Sequence, residues 1–122
     1  MKSVAIIGLL AAAATSAVAV PMPAPTPVRN FVPLKNAWIS GASAWTTSKR
    51  EQFANDITTP QLWAVTDNLN QAKGDRSPDQ WKPPLTSFFC TYAKSWVQVK
   101  YYWALSITSA ERSALASMLN TC

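Results

Sequence analysis

Apolar residues recur near the end of the chain at intervals of three and four. Leu85, Phe88, Phe89, Tyr92, Trp96, Val99 and Trp103 all fall on one helical face. That spacing predicts a long amphipathic helix over 86–103. Thr108 and Glu111 stand in capping-box spacing and open a last helix, with Leu115, Met118 and Leu119 facing inward. Upstream the pattern breaks into shorter pieces. Leu62-Trp63-Ala64-Val65-Thr66 is a short apolar run that reads as a strand. Asp67-Asn68 then starts a helix over 69–73 that Gly74 stops. Ser77-Pro78-Asp79-Gln80 has the form of another capping box, before Pro83-Pro84 breaks the chain. Residues 46–56 predict a helix capped by Ser48 and Glu51, with Phe53 and Ala54 inward. Residues 35–40 predict a single helical turn closed by Gly41, and Val32-Pro33-Leu34 an edge strand or extended segment. The sum is an α+β domain, mainly helical with a little strand.

Before this pattern starts, the composition changes. Lys2 precedes a run of small and apolar residues over 4–18, and Ala17-Val18-Ala19 has the form of a small-residue cleavage signal. Residues 1–19 therefore read as a secretory signal peptide. The run is too short and too rich in alanine to make a good membrane span, so no span is expected after cleavage. Residues 20–30 read as a proline-rich linker opening with VPMPAPTP, where alternating proline forbids helix and ladder pairing. Order is expected from about Phe31, giving one domain over 31–122.

Secretion into an oxidising compartment changes how Cys90 and Cys122 read. An even pair there most simply forms one disulfide, which would clasp the last two helices into a hairpin. A pair of free or metal-binding thiols is the alternative, and without histidine two cysteines do not complete a zinc site. The formal charge is +5, or +4 once Lys2 leaves with the leader. A modest basic excess suits nucleic acid or an anionic surface, though many secreted proteins share it.

The 122 residues contain no histidine. Ser-His-Asp and Cys-His nucleophilic sites are thereby excluded, along with most zinc catalysis. On the 69–73 helix, Asn70 and Lys73 lie three apart and share a face. An amide oxygen can ligate a hard cation such as Mg²⁺, and a lysine can meet a phosphate. The competing account is local, with Asp67, Asn68 and Gly74 serving as caps and turns. Lys94, Lys100, Tyr101 and Tyr102 interleave with Trp96 and Trp103, as in a strand-binding surface. Helical spacing favours a buried aromatic stripe with a solvated lysine face instead. Trp38, Trp45, Trp63 and Trp81 read as core. Lys49, Arg50, Lys73, Arg76 and Lys82 form a looser basic set.

Three segments occurring in order carry a more specific message. They are VPLKNAWISGASAW (32–45), REQFAND (50–56) and AVTDNLNQAKGDRSPDQWKPP (64–84). Together they resemble the HNH domain at the C-terminal end of GmrSD-type restriction endonucleases, in the form found in small secreted fungal and actinobacterial proteins. SFFCTYAKSWVQVK with its closing Cys122 resembles the fungal branch, and the likeness covers roughly 32–122. The resemblance implies a ββα-metal core and metal-dependent hydrolysis of phosphodiesters in DNA or RNA. It further implies that Asn70 is the motif asparagine that helps hold a divalent cation such as Mg²⁺. Lys73 and Asp75 belong to the same motif.

The departure from the family pattern falls at its start. The first segment of the family normally begins Asp-His-Val-Val-Pro-Leu, with the histidine as general base and the aspartate helping to hold the metal. Arg29-Asn30-Phe31 stands in that place here. Asn30 has no pKa near neutrality with which to take a proton, and Arg29 puts a cation where a metal-binding anion belongs. Losing a general base commonly costs about a hundredfold to ten-thousandfold in rate. The leader and linker also run straight into the motif, so the domain reads as N-terminally truncated, by loss in the gene or by an exon missed from the coding sequence. The expectation is a secreted nuclease-like domain with no intact catalytic residue. The alternative is a non-catalytic nucleic-acid-binding or structural protein.

Overall fold

The computed structural model describes residues 28–122; the predicted signal peptide and most of the linker lie outside them. Strand β1 (Val28–Asn30) pairs antiparallel with β2 (Leu62–Ala64), matching Val28 with Ala64, Arg29 with Trp63 and Asn30 with Leu62. β1 thus occupies the last three residues of the stretch read as linker. Gln61 extends this short ladder with its side chain. Its amide accepts from the Val32 N–H at 3.0 Å and donates to the Val32 carbonyl at 2.9 Å, a pair of bonds that mimics one more strand residue. Both groups are fully buried, so the bonds replace a loss of solvation that would otherwise oppose folding.

Between the strands run two short helices, α1 (Leu34–Ile39) and α2 (Thr47–Ala54). Val32-Pro33-Leu34 does not form a strand: Pro33 fixes φ at −57° and stands at the N-cap of α1. Gly41 ends that region with φ +142°, a conformation L side chains rarely adopt. The cap of α2 is Thr46, not Ser48. Its hydroxyl accepts from the Lys49 N–H at 3.2 Å, two residues earlier than the capping-box spacing predicted.

After β2, α3 (Asp67–Lys73) ends at Gly74, whose φ of +49° requires glycine. The Ser77–Gln80 box forms only one turn. The Gln80 side chain accepts from the Ser77 N–H at 3.3 Å, but the Ser77 hydroxyl bonds Asp79, and the two prolines that follow stop propagation. A 3-10 turn over Thr86–Phe88 leads into α4 (Phe89–Tyr102), and α5 (Ser109–Leu119) folds back against it. Leu85 falls outside the helix and is exposed, whereas Tyr92, Ala93, Trp96 and Val99 form the buried face. The Thr108–Glu111 capping box is present in both directions.

The Cys90–Cys122 disulfide joins the start of α4 to the chain beyond α5, and no free cysteine remains among the described residues. With its ends 32 residues apart in sequence, such a bond stabilises by about 3–4 kcal/mol in the chain-entropy account. The architecture is α+β, mainly helical: an antiparallel strand pair followed by α3, beside a disulfide-clasped helical hairpin. Among the described residues no helix is long and apolar enough to cross a membrane.

Candidate functional site

Side chains alternate along β1, so Arg29 and Phe31 point to one face. Trp63, opposite Arg29 in the ladder, joins them there. Phe88, from the turn before α4, and Tyr92, on its first full turn, pack against these rings. Trp81 and the Pro83–Pro84 segment add to the lining. Helix α3 contributes Leu69, Asn70 and Lys73, at helical positions i, i+1 and i+4. Together they surround a cleft of about 260 Å³. Its rings touch edge to face or at a tilt: Phe31 lies 5.3 Å from Trp63 and 5.1 Å from Tyr92, Trp63 lies 5.3 Å from Phe88, and Trp81 lies 6.0 Å from Tyr92.

The cleft brings together Asn30, Asn70 and Lys73. It does not include Asp75. That residue lies in a second, more polar depression with Lys35, Asn36, Arg76, Ser77, Asp79 and Glu111. Asn30 contributes to the cleft wall, but its amide donates to the Ala54 carbonyl at 3.1 Å, holding β1 against the end of α2. Arg29 and Lys73 are the cations of the lining, and no carboxylate is among the lining residues. Lys73 is half-buried, its Nζ 5.8 Å from the Trp96 ring. Burial pushes its ammonium down to about 8, against a smaller upward pull from Asp75. Tyr92 is buried, its hydroxyl without a hydrogen-bond partner, and burial raises its pKa, with Glu111 and Asp79 adding to the rise.

A divalent cation does not fit this donor set. Two amides beside an arginine and a lysine offer no anionic ligand, and hard cations are held chiefly by carboxylate oxygens. Among the described residues, no three of His, Cys, Asp or Glu are grouped to hold a metal ion.

Other sequence expectations fall differently. Lys100 is not on a solvated face. It is buried, donates to the Ser106 carbonyl at 2.8 Å and pairs with Glu111 at 3.8 Å. Trp63 and Trp81 are half-buried cleft walls rather than core. Trp38 is half exposed, with the Arg50 guanidinium 5.1 Å from its ring. Lys94, Tyr101 and Tyr102 are exposed.

Comparison with known proteins adds the family. The model of the C-terminal domain of GmrSD restriction endonucleases matches residues 31–118. An uncharacterized secreted protein of the fungus Arthroderma benhamiae is 63% identical over 95 residues, covering 78% of this chain and 47% of its own length. The chain thus spans about half the length of the curated relative it matches. The secreted localisation expected from the sequence is shared with this relative. No solved structure matches.

Proposed function

Because the chain belongs to the family of GmrSD restriction endonuclease C-terminal domains, we propose that residues 28–122 form a secreted nuclease-family domain that holds nucleic acid without hydrolysing it. One observation carries this reading. The cleft offers two cations and no carboxylate, and Asn30, which the resemblance sets in the place of the family's general base, has its amide engaged by the Ala54 carbonyl. Such a cleft favours a phosphate and disfavours Mg²⁺. It contains neither the family's histidine base nor an anionic metal ligand, so no hydrolytic step is derived from it. In this reading residues 1–19 are the secretory leader, and N-terminal sequencing of the secreted protein should begin at Val20.

The test uses the secreted, oxidised chain with supercoiled plasmid and Mg²⁺, and EDTA as control. No nicking is expected. Binding to labelled DNA and RNA, followed by anisotropy across a salt series, should weaken with a slope of about two on logarithmic axes, one unit for each of the two cations. EDTA-sensitive nicking that vanishes in Asn70→Ala would make this an active enzyme and overturn the proposal. Absence of any salt-dependent binding would leave the disulfide-clasped hairpin as a purely structural or interaction module.

A further inference from the structure

The aromatic lining of the cleft is more than the fold requires. Trp63, Trp81 and Phe88 are only half-buried, so each keeps part of a ring for something other than the core. Lys73 is likewise unmatched. The ion pair between side chains of the described residues is Lys100–Glu111, so Lys73 has no carboxylate within salt-bridge distance. A half-buried ammonium against apolar walls is disfavoured until an anion reaches it. Tyr92 adds a buried hydroxyl without a partner at the same wall.

Planar walls call for a planar ligand, and unpaired cations call for an anionic one. At about 260 Å³, just under the usual range for small-molecule pockets, the cleft has room for one ring system but not for a run of stacked ones. We propose that the cleft is a slot for a single unstacked nucleobase, its ring against Trp63 and Trp81 and its own phosphate on Lys73 and Arg29. This rests on the nucleic-acid reading above and deepens it: the domain prefers single strands, or a nucleotide turned out of a duplex, to an intact double helix. A duplex keeps its bases stacked on one another and offers this cleft only phosphates. A single strand offers both contacts. An apolar chain carrying a carboxylate would satisfy Lys73 equally well, but would leave two half-buried tryptophan rings without a planar partner.

The experiment is a titration of the full secreted chain, read by tryptophan fluorescence. The probes are deoxyadenosine monophosphate, deoxyribose 5-phosphate, decanoate, a short single strand and a duplex of the same sequence. The mononucleotide should bind at least about fivefold more tightly than the sugar phosphate, since stacking of one base on an aromatic side chain is worth that much. The single strand should outcompete the duplex. Trp81→Leu should remove the advantage of the nucleotide over the sugar phosphate. Lys73→Gln should weaken both about equally, with far-ultraviolet circular dichroism as the check on folding. Equal affinity for nucleotide and sugar phosphate, or decanoate binding where the nucleotide does not, would overturn the slot. Equal binding of duplex and single strand would overturn it while leaving the nucleic-acid reading intact. Failure of every nucleic-acid probe would remove both.

Discussion

Helix α4 carries an aromatic cluster at each end, and the two are built to different standards. At its C-terminal end Trp103 packs 5.6 Å from Trp45 and 5.4 Å from Phe53, with Trp45 and Phe53 5.8 Å apart. The polar groups beside this cluster are matched. The Asp56 carboxylate accepts from the Trp103 indole at 2.8 Å, from the Thr58 amide and hydroxyl, and from the Thr59 hydroxyl. At the N-terminal end, Phe31, Trp63, Trp81, Phe88 and Tyr92 surround an open cleft, and the Tyr92 hydroxyl and the neighbouring Trp96 indole N–H have no partner. The two lysines near Trp96 divide in the same way. Both Nζ atoms lie 5.8 Å from its ring, yet Lys100 is buried with Glu111 and a carbonyl while Lys73 has no ion-pair partner. A cluster whose polar neighbours are satisfied serves stability. An open one with unmatched groups leaves interactions available to a ligand.

The sharpest way to break the closed side is to strand its lysine. Glu111→Leu leaves the Lys100 ammonium buried without its carboxylate, removes half the capping box and frees Asn36 Nδ2, which donates to Glu111 at 2.8 Å. A loss of about 3–5 kcal/mol is expected in urea denaturation, with much of it recovered in Lys100→Met/Glu111→Leu. If the single variant is as stable as the parent, the pair is not structural.

Next comes acid. Burial raises the Asp56 pKa, but hydrogen bonds from Thr59, Thr58 and Trp103 outweigh it and hold the carboxyl at about 2, below its ordinary 3.8. Above about pH 4 the resulting stability is fully present; as pH falls towards 2 it is lost, by roughly 2 kcal/mol. Asp56→Asn should be less stable at pH 5 and show a flatter profile across that window.

A smaller effect lies at the turn after α4. Ala104 has φ +53°, while the Leu105 N–H bonds the Lys100 carbonyl and the Ala104 N–H that of Tyr101, a Schellman closure that usually uses glycine. Ala104→Gly should gain about 1 kcal/mol. A loss of stability instead would mean that the alanine side chain makes a contact worth more than its strain.

The smallest effect is expected on the open side. Lys73 titrates at about 8 in the fold and at 10.5 when unfolded, so between these values only the unfolded chain holds its proton and stability rises with pH. Lys73→Met should remove that rise and gain less than about 1 kcal/mol at neutral pH, because solvent still reaches the site. A marked loss would instead place Lys73 with Lys100 as a structural group.

Much of the helical part was legible because it rests on local rules. The Tyr92–Trp96–Val99 spacing, the Thr108–Glu111 box and the even cysteine count each need no knowledge of distant residues. β1 was not legible. Three residues including Arg29 and Asn30 follow a proline run, and they become a strand only because β2 and Gln61 come to them from far along the chain. Thr46 took the cap from Ser48 because a two-residue difference in helix start depends on how Trp45 is anchored, and the Trp45 carbonyl is held by Arg50 at 2.7 Å. The shared helix face of Asn70 and Lys73 was legible, and both line the cleft. The aromatic walls were not, since tryptophan reads as core in any sequence and only tertiary packing decides whether one face of it stays open.

The clasp between Cys90 and Cys122 has a consequence outside equilibrium stability. Residues 103–108 connect α4 to α5 at the end of the hairpin opposite the disulfide, with Ile107 partly exposed. In a medium containing other secreted enzymes, a protease that cuts this connection produces two fragments that remain one molecule, still joined by the sulfur bridge. Helix α4 would then keep α5 beside it, and the damage would appear on a gel only after reduction. The bond that helps the domain to fold also lets it survive a cut.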